Sequence, residues 1–257
     1  MTRDERRAAL EQIANEVRGC TACRLAEGRT RAVPGEGDPD TEVVFVGEGP
    51  GFNEDREGRP FIGRAGGLLT RMLNSIGWQR EDVFITNVVK CRPPDNRDPE
   101  PDEIAACAPY LRRQLEVLDP AVVVTLGRFS MAAFMPGVRI SAVHGTSKPV
   151  DPATGAQNAL AFAMYHPAAA LRTPALERES YEDVARVPAV PQRSRDRRAG
   201  IVVEGAEPQI AAAAAPAAPP APSHVPAPAA TPAPVSAPAQ PVELPAPADD
   251  ASQLTLF

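Results

Sequence analysis

Residues 42–51 read EVVFVGEGPG, and this stretch decides the fold. Glu42–Val46 is a short, mainly apolar run that stops at a glycine-rich turn, the pattern of a strand feeding a tight loop. Working outward, residues 64–76 (RAGGLLTRMLNSI) place apolar side chains at helical spacing and end at Gly77, a C-cap residue. Asp82–Val89 reads as a second strand, and Pro101–Leu118 as a helix with proline and acids in its first turn. Ala121–Leu126 is a third strand, followed by Gly127 and a short helix near Ser130–Phe134. Ala159–Tyr165 is a fourth, running into His166-Pro167. Upstream, residues 4–18 form an amphipathic helix that ends before Cys20. Apolar strands alternating with helices predict a three-layer α/β/α fold with a central, mostly parallel four-stranded sheet. Such folds gather their chemistry at the carboxyl ends of the strands. Glu48, Asn87 and His166 all fall there, and that convergence is the first functional signal.

The chain has 257 residues, of which 43% are hydrophobic and 23% charged, ordinary values for a globular protein. Its 30 prolines are unevenly placed: 13 lie between Pro208 and Pro247, among alanines. Such sequence buries too little apolar surface to offset chain entropy. A folded domain is therefore expected over 1–195, an Ala/Pro-rich disordered linker over 196–252, and a separate short motif over 253–257. From Ala199 onward the charged residues are Glu204, Glu207, Glu243, Asp249 and Asp250, which leaves −1 of the net −6 for the first 198 residues. Net charge thus neither supports nor excludes a nucleic-acid partner. The charged N-terminus lacks the apolar stretch of a signal peptide, and no run of about 18 apolar residues predicts a membrane span. A soluble, cytoplasmic protein is expected.

Cys20 and Cys23 form C-x2-C, and Cys91 and Cys107 have fifteen residues between them; the chain has no other cysteine. In a reducing compartment four cysteines point to metal ligands or structural thiols rather than disulfides. Spacing alone leaves zinc and an iron–sulfur cluster both open, since each takes four thiolates. A ligand set so widely split would stitch the N-terminal helix to the loop after the second strand.

Taken in order, C-x2-C, GEGPGFNED, GRPFIGRAGGLL, ITNVVKCRPPDNRDP, the second cysteine of the C-x15-C pair, VVVTLG and YHPAAALR resemble the family 4, iron–sulfur-type uracil-DNA glycosylases. The resemblance runs from about Cys20 to Leu171. It implies the uracil-DNA glycosylase fold and a 4Fe-4S cluster on Cys20, Cys23, Cys91 and Cys107. It also implies a monofunctional enzyme that flips uracil out of DNA and hydrolyses its bond to the sugar, the opening step of base excision repair. Breaking that bond builds positive charge on the sugar and negative charge on the base. The enzyme needs the base extruded into a pocket, an anion or water activator near the sugar, and donors near the uracil oxygens.

Glu48 is the carboxylate best placed for the sugar side, with Glu54 and Asp55 as second candidates. Other uracil-DNA glycosylases carry an Asp where this chain has Gly49. His166, in the HP motif, would donate to a uracil carbonyl oxygen. Asn87 would read the base edge through its amide, and Phe61 would stack on the uracil face. Gly49, Pro50 and Gly51 would let the backbone approach base and phosphate closely. Arg56, Arg59, Arg64, Lys90, Arg92 and Arg172 are candidates for phosphate contact. His144 and His224 fall in no motif. A related branch that becomes covalently fixed to the uracil site has a basic, His-bearing loop where this chain reads CRPPDNRDP, so turnover is expected. The alternative is a uracil-DNA binding protein with no turnover or with covalent capture.

The chain ends Gln253-Leu254-Thr255-Leu256-Phe257. QLTLF resembles the bacterial sliding-clamp-binding pentapeptide, in which Gln253 would make polar contacts while Leu254, Leu256 and Phe257 fill an apolar groove. A coil of about 45 residues spans roughly 35–40 Å r.m.s., and more where proline stiffens it. The expected partners are uracil-containing DNA and a sliding clamp, with the chain itself a monomer, nucleoid-associated in the cytoplasm.

Overall fold

A computed structural model describes residues 1–199; beyond them lie most of the expected linker and all of the 253–257 motif. The chain opens with α1 (Arg3–Gly19), α2 (Leu25–Gly28), β1 (Glu36–Gly37), β2 (Val43–Gly47), α3 (Phe52–Glu57) and α4 (Arg64–Ser75). It continues with β3 (Phe84–Asn87), α5 (Pro101–Leu118), β4 (Val122–Leu126), α6 (Arg128–Phe134), α7 (Ile140–Val143) and β5 (Ser147–Pro149). It closes with β6 (Leu160–Met164), α8 (Pro167–Ala170), α9 (Pro174–Val184) and α10 (Val190–Arg198). The last helix carries ordered structure to Arg198, past the boundary expected near 195. No helix among the described residues is long and apolar enough to cross a membrane.

The sheet has six strands in the order β1-β3-β2-β4-β6-β5, not four. The four expected strands are its parallel centre, and β1 and β5 are added antiparallel at the two edges. Both edge strands were missed because their residues, Glu36–Gly37 and Ser147–Pro149, carry no apolar pattern and pair through backbone alone. The central strands are buried on both faces, which explains their unbroken apolar runs. Val44, Val46 and Val123 share a core with Ile13 of α1 and Leu111 and Leu115 of α5. Val43, Phe45, Val122 and Val124 share the opposite core with Leu68, Leu69 and Met72 of α4 and with Val190 of α10. Each such side chain removed from water contributes about 1.5–3 kcal/mol.

Helix α1 is started by a capping box: the Glu5 amide donates to Thr2 Oγ1 at 3.3 Å and the Thr2 amide to Glu5 Oε2 at 2.7 Å. From β2 the chain crosses by α4, on one face, to β3; from β3 it crosses by α5, on the other face, to β4 on the far side of β2. The topological switch point therefore lies between β2 and β4, where an open α/β sheet leaves a crevice at its carboxyl edge. Pairing between β2 and β3 continues past the strands, with Val88 N donating to Gly47 O at 2.9 Å and Val89 N to Glu48 O at 3.0 Å. Glu48 and Asn87 are thereby held side by side at that edge.

Candidate active site

The crevice is a cavity of about 520 Å³, within the range of sites that take small ligands. Glu48, Gly49, Pro50, Gly51, Glu54 and Phe61 line it from the β2 side, Asn87 from β3, and His166 and Arg172 from the loop after β6. Five features set its geometry.

First, Asn87 ends β3 and is 1% exposed. Its amide oxygen is buried and has no hydrogen-bond partner. An acceptor left so costs about 1–3 kcal/mol, which a ligand N–H would restore.

Second, Gly47 lies directly behind both the amide and the aromatic ring. A Cβ there would stand 2.4 Å from Asn87 Oδ1 and 2.5 Å from the Phe61 ring. Only glycine lets these two groups share the cavity floor.

Third, Phe61 is held in the left-handed region, φ 51°, a strained position for an aromatic residue. Its neighbours fix it there. Glu54 Oε1 accepts from Ile62 N at 2.9 Å and Gly63 N at 2.8 Å. Arg80 donates to Phe61 O at 2.9 Å and to Pro60 O at 2.8 Å, and is itself anchored on Glu36. Gly66 packs so tightly below that a Cβ would fall 1.7 Å from Phe61 O. Glu54 thus lines the cavity while one of its oxygens is committed to this turn. Asp55 is buried and accepts from Thr30 N through both oxygens, at 2.9 and 3.1 Å, tying down the 29–33 loop outside the cavity.

Fourth, His166 caps α8, with Nδ1 accepting from Ala168 N at 3.1 Å. Its proton is therefore on Nε2. Burial pulls the imidazole down to about 4, against a smaller opposing pull from Glu54, so it is neutral near pH 7. The ring lies 5.7 Å from that of Phe61, tilted by 34°. Gly127, at φ 88°, makes room for it: a Cβ would come 2.9 Å from His166 Cβ.

Fifth, Glu48 is half-buried, and no hydrogen bond among the described residues holds its carboxylate. Burial raises its carboxyl above the usual range; the charge of Asp98 adds to this, and Arg128 opposes it. Asp98 and Arg128 also line the cavity and pair with each other. Sequence reading missed both, since nothing local in DNRDP or LGRF marks them as pocket residues.

The expected phosphate contacts divide. Lys90 is not on the surface: it is buried to 1% exposure, and burial pulls its ammonium down to about 7. Its Nζ donates to Thr86 Oγ1 at 2.5 Å, Gln114 Oε1 at 2.7 Å and Asn87 O at 2.8 Å. It is an interior strut beneath Asn87. Arg59 is engaged by Glu36 and Arg56 by Glu57, while Arg172 lines the cavity mouth. His144 donates or accepts at 2.9 Å with Asp183 and stacks on Tyr165, a structural contact outside the cavity.

A second, smaller cavity is lined by all four cysteines, Cys20 and Cys23 after α1, Cys91 after β3, and Cys107 within α5. None forms a disulfide. Alanines 22, 26 and 106 leave room at its wall, and no acid or histidine lines it. Arg29 donates to Cys91 Sγ at 3.1 Å and Lys90 N to Cys107 Sγ at 3.2 Å. Burial pushes the bare Cys107 thiol up to about 11, so only a bound cationic centre would hold it as thiolate. Among the described residues no three His, Cys, Asp or Glu side chains are gathered as they would be around a single ion. The four cysteines supply soft donors of the kind that zinc and iron–sulfur centres both take.

The sheet order places the chain among doubly wound α/β proteins, and its strand-end cavity has an aromatic wall and a buried amide. The family description "Uracil DNA glycosylase superfamily" matches residues 34–186. The chain is 50% identical over 185 residues to the type-4 uracil-DNA glycosylase of Sulfurisphaera tokodaii, covering 70% of this chain and 83% of that one. It is 50% identical over 150 residues to the type-4 enzyme of Thermotoga maritima, covering 58% and 77%. A type-5 uracil-DNA glycosylase of Thermus thermophilus is 33% identical over 174 residues, covering 52% and 79%. The chain belongs to the uracil DNA glycosylase superfamily, and its type-4 members are 45–50% identical to it over the matched residues.

Proposed function

We propose that the chain is a uracil-DNA glycosylase that draws uracil from DNA into the strand-end cavity and hydrolyses the N-glycosidic bond, leaving an abasic site. The unpartnered buried amide oxygen of Asn87 carries this reading. Uracil N3–H supplies the missing donor, while the Asn87 NH2 meets uracil O4. The Phe61 ring covers the base face. As the bond between N1 and C1′ breaks, its electron pair stays with the base. The Nε2–H of neutral His166 donates to the uracil oxygen on which that charge collects. Glu48 faces the sugar, where an ionised carboxylate stabilises the cationic carbon and orients water towards it; the water's hydroxyl joins C1′ and its proton is released. Glu54 acts behind Phe61, holding the turn that carries the ring.

The four cysteines fit a 4Fe-4S cluster, which would lock α1 to α5 and to the loop after β3. Iron and acid-labile sulfide in the purified protein, both lost on Cys107→Ser, are the expected result; a protein that folds and holds zinc instead would replace this assignment. The terminal QLTLF is proposed to hold a sliding clamp, so that the tether keeps the enzyme concentrated on clamp-loaded DNA. Deleting residues 253–257 is expected to abolish clamp binding in a pull-down while oligonucleotide cleavage is unchanged. Retained clamp binding removes the proposal.

The activity is tested with a labelled oligonucleotide holding one uracil, treated with alkali after incubation and run on a denaturing gel. Scission at uracil and none at thymine in the same position is expected. An uncut strand from cluster-loaded protein refutes the enzyme.

A further inference from the structure

Only three large hydrophobic side chains are exposed among the described residues: Met1, Phe52 at 58% and Leu171 at 41%. A lone exposed apolar residue means little in itself. These last two, however, each adjoin a residue that lines the active-site cavity, Gly51 in one case and Arg172 in the other. Neither lines the cavity itself; each is the immediate chain neighbour of a residue that does, Phe52 on the β2 side and Leu171 on the β6 side. Phe52 has a further property: the Arg92 guanidinium lies over its ring, 5.2 Å from the centroid.

That arrangement is built rather than incidental. Arg92 Nε donates to Asn96 Oδ1 at 2.8 Å, and Asn96 itself lines the cavity. Asp95 and Asn96 are consecutive left-handed residues, φ 53° and 54°, of the types that tolerate this conformation best. The tight turn they make brings Asn96 back within reach of Arg92. A guanidinium held over one part of an aromatic ring leaves a half-exposed π surface with a cation beside it. This is the pairing with which proteins hold unpaired nucleotides, the base on the ring and the phosphate near the cation.

We propose that Phe52, backed by Arg92, is a stacking platform for the base next to the one that enters the cavity, a second nucleobase subsite on the same DNA strand. The inference rests on the cavity's being the uracil pocket, since that fixes which strand passes Phe52. The shared requirement for an aromatic face and a cation favours a nucleotide over a peptide or a second copy of the chain. Stacking of this kind tolerates any base, so the platform adds affinity without sequence preference. It acts most on strands whose bases are already unpaired.

The test measures binding and turnover separately, on the full-length, cluster-loaded protein. The first probe is a fluorescent single-stranded oligonucleotide without uracil, read by anisotropy. The others are uracil oligonucleotides in which the nucleotide on each side of uracil in turn lacks its base. Phe52→Ala is expected to raise Kd for the uracil-free strand, and KM for the uracil strand, by about 5- to 160-fold. This is the factor equivalent to about 1–3 kcal/mol for one stacked base. Phe52→Trp should bind as the parent does. Removing the neighbouring base on one side should cost the parent a similar factor in KM and cost Phe52→Ala nothing further. The platform is overturned if Phe52→Ala binds within about twofold of the parent, or if the two losses multiply. Should the parent fail to cut uracil while Phe52→Ala still loses affinity for the uracil-free strand, the pocket reading falls and the subsite beside it falls too, leaving Phe52 as a single-strand contact only. Normal cutting by the parent, with unchanged affinity in Phe52→Ala, removes the platform and leaves the pocket in place.

Discussion

Glu48→Gln is expected to lower kcat/KM on a uracil-containing strand by about 10²- to 10⁴-fold, the range for a positioned group that assists water attack. Gln keeps the shape and removes only the charge, so binding of uracil-free DNA should change little. The pH profile gives the sharper check. Burial and the neighbouring Asp98 hold the Glu48 carboxyl above the ordinary carboxylate range. The ionised form is the active one, so parent activity rises as pH climbs through that raised value. His166 does not gain a proton until about pH 4, so it does not set the limb. In Glu48→Gln the residual activity should no longer show this acid limb. A loss under tenfold, or an unchanged limb, would move the role to Asp98, the other carboxylate that faces the cavity without being committed to a turn.

His166→Ala is expected to cost about 10²- to 10³-fold in kcat, as removal of one donor to a developing anion does, with a smaller change in KM. The same residue leaves a stability signature. Its folded pKa, about 4, lies below the unfolded value of about 6.5. Between these values the unfolded chain takes up a proton that the folded one refuses, so stability falls as pH drops from about 6.5 to 4 and is fully present above. The loss amounts to about 3 kcal/mol at most by linkage. Urea unfolding at pH 7 and pH 5 should show a pH-dependent loss in the parent that is reduced in His166→Ala. Equal pH dependence in both would mean that the imidazole is protonated in the fold, and that its donor role needs another chemistry.

The fold was legible where a residue's type announced its burial. EVVFV, DVFITNVV, AVVVTL and ALAFAMY could only be strands covered on both faces, and the helix over Pro101–Leu118 falls on the expected residues. The edge strands were not legible, because Glu36–Gly37 and Ser147–Pro149 pair through backbone and carry no side-chain pattern. The helices after Leu171 are short and carry prolines in their first turn, Pro174 and Pro191, which read as breaks when no partner surface is in view.

The cavity divides along the same line. Strand ends placed Glu48, Asn87 and His166 together, because the parallel sheet dictates where strands finish. Lys90 misled because its charge suggested solvent, whereas its acceptors come from Thr86, Asn87 and the distant Gln114 of α5. Arg80 was silent for the converse reason: what it binds are carbonyl oxygens of Pro60 and Phe61, which no side-chain pattern records. Phe52 stood in plain view, directly after GEGPG, but its exposure and its contact with Arg92 exist only in three dimensions.

Gly47 has a consequence for how such a pocket changes over generations. Alanine is the smallest step away from glycine, yet its one added carbon would strike the Asn87 amide and the Phe61 ring together. Position 47 therefore offers no gradual route to a roomier or tighter floor. A lineage that came to accept a different base would have to travel through substitutions at 87 or 61, one altering the hydrogen-bond pattern and the other the shape of the wall. Hydrogen bonding and shape can then drift independently, while the point at which they meet stays fixed.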